Sequence, residues 1–242
     1  MERIAKSGLV ALSPLFEAFI RMPLWPMQRP ARARSRRDIV RGLWKSFIDP
    51  LGAAVLLVAL APLFLIVMGL VMLQSGRPIF YGHTRWGQDG ATFKCWKFRT
   101  MSVDADARLD ALLQSDPKAL AEWNATAKLK DDPRVTAIGR ILRRTSLDEL
   151  PQLWNVLVGE MSLVGAGPIA LGEEKHWGDQ FRYYLAERPG ITGPWQVRFR
   201  NSGSYRDRLV LQRHYLAHWT PWTDIVCLLK TLSVPFERKN AY

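Results

Sequence analysis

Asp148 and Glu149 stand side by side in "RRTSLDELPQLWNVL", residues 143–157, between arginines and an apolar run. Two readings compete for them. Ser146 followed by Glu149 fits a capping box, Pro151 suits a first helical turn, and acidic groups there favour the helix dipole. The other reading is chemical. Consecutive helical residues point about 100° apart, so one carboxylate can attack a phosphorus atom while its neighbour faces a metal. A pair sharing one proton would instead have to converge on one point. Arg140, Arg143 and Arg144 lie close by and are expected to hold the carboxylates ionised, and backbone donors at a helix start bind phosphate oxygens.

Such side chains need elements to position them. "PIFYGHTRWG" and "ATFKCWKFRTM" are aromatic and β-branched runs separated by "QDG", which predicts a β-hairpin turning at Gly90. Residues 103–130 read as helix with a break at Asp116-Pro117. "VTAIGRILRRTS" continues helically, with Ile138, Ile141 and Leu142 on one face and arginines on the other. Residues 187–204, "ERPGITGPWQVRFRNSGS", read as a loop built on Pro and Gly. Beyond it the pattern gives two amphipathic helices broken at Pro221. Trp219 and Trp222 sit at that break, where a membrane interface or a packed core would suit them.

Ahead of the hairpin lies "LGAAVLLVALAPLFLIVMGLVML", residues 51–73, without a charged residue. It has the length of a bilayer span, about 20 residues. Pro62 at its midpoint favours a break, however, and both flanks are basic, so both ends prefer the same side. A re-entrant helical hairpin is expected, bent at Ala61-Pro62 with Asp49 at its mouth; a spanning helix is the competing arrangement. Upstream, "QRPARARSRRDIVRGLWK", residues 28–45, reads as a juxtamembrane segment attracted to anionic lipid. Residues 1–28 would lie along a membrane surface or form a poorly ordered extension. Pro14, Glu17, Arg21 and Pro23 interrupt any signal-peptide pattern there.

The 242 residues suffice for one domain plus attachments. A hydrophobic fraction of 48% excludes a disordered tail, and a charged fraction of 23% excludes a multispanning protein. The formal charge of +12 calls for an anionic partner: acidic lipid, a phosphorylated substrate or nucleic acid. Cys95 and Cys227 lack metal-like spacing and read as reduced, inert thiols. His214 and His218 share helical spacing without a clear acidic third ligand, and read as ordinary interface residues.

"KFRTM" at 97–101, "KLKDDPRVTAIGRILRRTSLDELPQLWNVLVGEMSLVG" at 128–165, "RPGITGPWQV" at 188–197 and the aromatic tail follow in one order. Together with the proline-broken apolar segment they closely resemble the bacterial sugar transferase family, the polyprenyl-phosphate hexose-1-phosphate transferases or monotopic phosphoglycosyl transferases. The resemblance runs from about residue 37 to the C-terminus. It implies an enzyme in which Asp148 attacks the β-phosphate of a UDP-hexose, UMP leaves, and undecaprenyl phosphate takes the sugar-phosphate from the enzyme. Glu149 would hold Mg²⁺, and Arg143 would contact phosphate. Lys97, Arg134 and Arg200 match basic positions that would bind substrate. Such a product would begin an exopolysaccharide, capsule or O-antigen.

The expected fold is therefore α+β and mainly helical, on the cytoplasmic face of a bacterial inner membrane. Residues 1–46 would form a basic extension, 47–74 the membrane hairpin, and 75–242 a catalytic domain with a small β-hairpin and amphipathic interface helices. Expected partners are a UDP-hexose, undecaprenyl phosphate and anionic lipid, with a homodimer admissible and no nucleic acid. Where the family usually reads Pro-Arg-Pro after "MSLVG", this chain has Ala166-Gly167-Pro168, and Arg198 is expected to replace part of the missing cation. Two other functions remain in view: a metal-dependent glycosyl transferase, which would release UDP rather than UMP, and a non-enzymatic basic membrane module, which salt would detach.

Overall fold

The computed structural model describes residues 36–126, 129–199 and 205–231. Helix α1 runs Arg36–Ala59 without interruption at Pro50, and so crosses the boundary expected near residue 46. Its composition is inverted relative to a soluble amphipathic helix. Arg41, Lys45, Asp49 and Ala53, spaced i, i+4, form a buried stripe, while Phe47 is 72% and Val58 77% exposed. The buried charges are paired. The Lys45 ammonium lies 3.1 Å from Asp224 and donates to Ser162 Oγ at 3.0 Å and to the Val164 carbonyl at 2.6 Å. Arg41 donates to the Leu216 carbonyl at 3.1 Å and pairs with Glu187. The charged residues in the middle of "RDIVRGLWKSFID" thus dock the helix onto the protein. Asp49 lies inside this junction rather than at an open mouth.

Leu60 separates α1 from α2 (Ala61–Ser75). Pro62 falls in the first turn of α2, where its missing N–H costs least. Leu60 N still donates to Leu56 O at 2.9 Å and Phe64 N to Leu60 O at 2.8 Å. One face of α2 buries Val67 and Val71 against Phe98 and Leu142, while Leu73 on another is 88% exposed. Only Ile39–Ala59, among the described residues, is long and apolar enough to cross a bilayer.

The hairpin is present as expected. Strands β1 (Phe80–Trp86) and β2 (Thr92–Phe98) pair antiparallel from Phe80↔Phe98 to Trp86↔Thr92. Asp89 and Gly90, at φ 56° and 80°, make the turn; Gly90 adopts the left-handed region without a Cβ penalty. Helices α3 (Ala105–Ser115) and α4 (Pro117–Thr126) break where predicted, with Asp116 Oδ1 accepting from Lys118 N at 2.8 Å.

Helix α5 (Ala137–Thr145) is capped by Thr136, whose hydroxyl accepts from Gly139 N at 2.9 Å. Leu142 is buried and Ile138 packs beside it, whereas Ile141 is 53% exposed and departs from the expected apolar face. The chain then takes a 3-10 turn, Leu147–Glu149, into α6 (Gln152–Leu157). Asn155 ties α6 to β2: its Oδ1 accepts from Trp96 N at 3.1 Å and its Nδ2 donates to the Lys94 carbonyl at 2.8 Å.

A second sheet was not expected from the sequence. Strands β3 (Ser162–Val164) and β4 (Gly190–Thr192) pair in parallel, so the segment read as a loop contains a strand and the short helix α8 (Pro194–Arg198). Gly190 is required there, since a Cβ would stand 2.1 Å from Gly165 N. Helix α7 (Phe181–Leu185) buries Tyr184, which donates to the Trp86 carbonyl at 2.6 Å. The tail forms α9 (Tyr205–His218) and α10 (Pro221–Thr231), broken where predicted. The two tryptophans divide: Trp219 is core and donates to Asp224 at 3.1 Å, and Trp222 is exposed.

Candidate active site

The capping box does not form. Ser146 sits in the left-handed region at φ 59°, its side chain caps nothing, and Glu149 turns instead to Lys97. Lys97 reaches from β2 to both carboxylates, with its ammonium 2.5 Å from Glu149 Oε1 and 3.7 Å from Asp148 Oδ2. The hairpin and the 3-10 turn therefore meet at one cation between two acids. Burial alone would push Lys97 down, but Glu149 and then Asp148 reverse this and raise its pKa.

Asp148 is only 8% exposed. Its carboxyl is pushed up from 3.8 to about 6, first by burial and then by the Glu149 charge, against the opposing pull of Lys97 and Arg143. Burial thus raises the pH at which the group ionises, despite the cations beside it. Of the neighbouring arginines, Arg143 acts on Asp148, while Arg140 donates to the Val135 carbonyl at 3.3 Å.

Arg143 is itself held. Its Nε donates to Thr100 Oγ1 at 2.9 Å, and burial lowers its pKa while Asp148 and Asp132 oppose that shift. Thr100 is buried, and its carbonyl accepts from Thr136 N at 3.0 Å. Helix α5 approaches so closely that a Cβ on Gly139 would lie 2.0 Å from the Thr100 oxygen. The sequence pointed to Lys97 in "KFRTM" but not to Thr100, three residues on in the same motif.

Arg134 is placed differently from its expected role. Asp132 grips its guanidinium through contacts of 2.7 to 3.1 Å, and its Cζ lies 5.2 Å from the Trp123 ring centre. It lies near Arg143 in electrostatic terms but is committed to shaping the turn. Arg200 falls outside the described residues. Arg198 is exposed and stacks over Phe199 at 5.3 Å. The Ala166-Gly167-Pro168 segment is reached by two other arginines: Arg208 donates to the Gly167 carbonyl at 2.8 Å, and Arg85 to that of Pro168 at 3.4 Å. A side chain at Gly167 would meet Gln196 Nε2 at 2.5 Å.

Among the described residues no three His, Cys, Asp or Glu side chains converge on one point. Asp148 and Glu149 nonetheless fit Mg²⁺, which is commonly held by one or two carboxylates together with substrate phosphates. That Lys97 is held between them shows a field suited to a cation. His214 and His218 stack at 4.3 Å, and His218 Nδ1 donates to the His214 carbonyl at 3.1 Å. Burial, aided by the neighbouring ring, lowers His214 to about 4. Both cysteines are free and buried, and desolvation raises Cys95 to about 11 and Cys227 to about 12.

Comparison with known proteins accords with this arrangement. The profile described as bacterial sugar transferase matches residues 40–238. The exopolysaccharide production protein ExoY of Sinorhizobium fredii is 46% identical over 203 residues, 84% of this chain and 90% of that protein. The UDP-galactose-lipid carrier transferase of Erwinia amylovora is 46% identical over 198 residues, 82% of this chain and 41% of that protein. The undecaprenyl-phosphate galactose phosphotransferase of Salmonella typhimurium is 45% identical over 198 residues, again 82% of this chain and 41% of the relative. The extents match one relative almost end to end and slightly under half of the other two. On this evidence the chain belongs to the bacterial sugar transferase family.

Proposed function

We propose that the protein transfers a hexose-1-phosphate from a UDP-hexose to undecaprenyl phosphate, releases UMP, and thereby begins a surface polysaccharide. The observation that carries this reading is the buried Asp148 set between Lys97 and Arg143, with Glu149 beside it. An Asp148 oxygen attacks the β-phosphorus as the bond from that phosphorus to the bridging oxygen breaks, and UMP leaves with the electron pair. An oxygen of undecaprenyl phosphate then attacks the same phosphorus, the aspartyl–phosphorus bond breaks, and the carboxylate is restored. A carboxylate approaching a diphosphate faces repulsion, which Arg143 and Lys97 relieve at the phosphate oxygens. Glu149 would hold Mg²⁺, which neutralises phosphate charge when bound.

The lipid acceptor requires a site at a bilayer surface. Supporting this are the inverted face of α1, the break at Leu60–Pro62, and the outward side chains of α2. A re-entrant α1–α2 hairpin would place both basic flanks on the cytoplasmic side, with anionic lipid bound around it. Purified protein incubated with undecaprenyl phosphate and a panel of UDP-sugars should release UMP from one or more of them. Release of UDP instead would mean attack at the anomeric carbon and reject the reading. Limited proteolysis of intact spheroplasts should spare residues 80–242; cleavage there would reject the cytoplasmic placement.

A further inference from the structure

In an in-line displacement at phosphorus the attacking and leaving oxygens lie opposite each other. With Asp148 attacking and UMP leaving, the oxygen that carries the hexose must point sideways. The sugar ring then lies beside the dyad, within a residue's reach of it. What lines that flank decides which hexose fits.

The register of the hairpin places Tyr81 directly opposite Lys97, the residue that touches both carboxylates. Directly opposed residues share a sheet face, with Cβ atoms about 5 Å apart. His83, two residues on, lies on that same face, and its ring meets the Tyr81 ring edge-on at 6.3 Å. The opposite face is accounted for separately: Trp96 covers Gly82, and Lys94 bonds Thr84. Tyr81 is 51% exposed although it lies across the strands from the lysine that reaches the buried Asp148. Its ring and that of His83 meet edge-on rather than face to face. His83 Nδ1 lies 3.0 Å from the Thr84 carbonyl, which can only accept, so this nitrogen carries the proton. In the neutral ring Nε2 is then an acceptor for a hydroxyl.

We propose that Tyr81 and His83 form the donor-hexose subsite, with the Tyr81 ring stacking on the C–H face of the pyranose and His83 accepting from one of its hydroxyls. The inference rests on the phosphoglycosyl-transfer reading above. A flat apolar face next to a single acceptor suits a hexopyranose, which presents one apolar face and an edge of hydroxyls.

The test uses the full chain in detergent with undecaprenyl phosphate, UDP-glucose and UDP-galactose, and measures UMP release. Tyr81→Ala should raise the donor KM by about 3- to 10-fold. It should leave unchanged both the acceptor KM and the inhibition constant of UDP, which lacks the sugar. Tyr81→Trp, which keeps an aromatic face, should stay near wild type. His83→Phe should change the ratio of kcat/KM for the two hexoses. An unchanged donor KM in Tyr81→Ala overturns the subsite, as does an equal loss of UDP binding. A rise in acceptor KM alone overturns it too, and assigns Tyr81 to the lipid. If wild-type protein releases no UMP from any UDP-hexose, the underlying reaction fails instead, and the two failures are distinct.

Discussion

Asp148 should make the folded protein less stable as it ionises. Its carboxyl is raised from 3.8 to about 6 because burial and Glu149 outweigh Lys97 and Arg143. Below the ordinary carboxylate value the group is protonated in both folded and unfolded chains and contributes no difference. As pH rises from 3.8 toward about 6 the unfolded chain loses its proton first, so stability falls through that window and stays lower above it. A displacement of this size corresponds to about 3 kcal/mol. Asp148→Asn removes the penalty while keeping the shape, although Lys97 then loses one of its two acidic partners. The net gain should therefore be about 1–3 kcal/mol near pH 8, a rise of roughly 3–8 °C in Tm. Tryptophan fluorescence during thermal unfolding, with chelator present and over a series of pH values, measures this. The gap between variant and wild type should close as pH falls through 6 toward 4. A variant no more stable than wild type near pH 8, or a gap that ignores pH, would refute the reasoning.

UMP release should fall as pH drops below about 6, because the attacking carboxylate must be ionised. A profile flat down to pH 4 would contradict it. Thr100→Val should cut kcat about 10-fold or more by freeing Arg143 from its 2.9 Å contact, with Thr100→Ser restoring most of the loss. Steady-state UMP release from both variants checks this, together with an acid limb that moves upward in the valine variant. Lys45→Met should destabilise the protein by about 3–5 kcal/mol, since it leaves Asp224 buried without its cation. Denaturant unfolding reads that loss, and Lys45→Met combined with Asp224→Leu should recover part of it.

Local chemistry made the hairpin legible, because "QDG" supplies the two left-handed residues its turn needs. Pro62, Pro117 and Pro221 likewise marked real helix breaks, since a missing donor acts within one turn. What escaped depends on distant partners. Arg41 and Lys45 look like juxtamembrane charge until Glu187, Ser162 and Asp224 arrive to pair with them. Strands β3 and β4 are three residues each, too short for an alternating pattern. At the site, sequence marked Asp148 and Glu149 as a pair with two competing readings, and the left-handed Ser146 does not allow the capping one. The resemblance, rather than spacing, pointed to Lys97, 52 positions before Glu149. Arg134 matched a motif yet is occupied by Asp132 and Trp123.

The central claim is a covalent bond between Asp148 and phosphorus during turnover. Mass analysis of peptides from protein quenched after mixing with a labelled UDP-hexose, without lipid acceptor, tests it most directly. The account predicts a hexose-phosphate adduct on the peptide containing Asp148, absent in Asp148→Asn and discharged by undecaprenyl phosphate. An unmodified peptide from enzyme that nonetheless releases UMP, or normal turnover by Asp148→Asn, would contradict it.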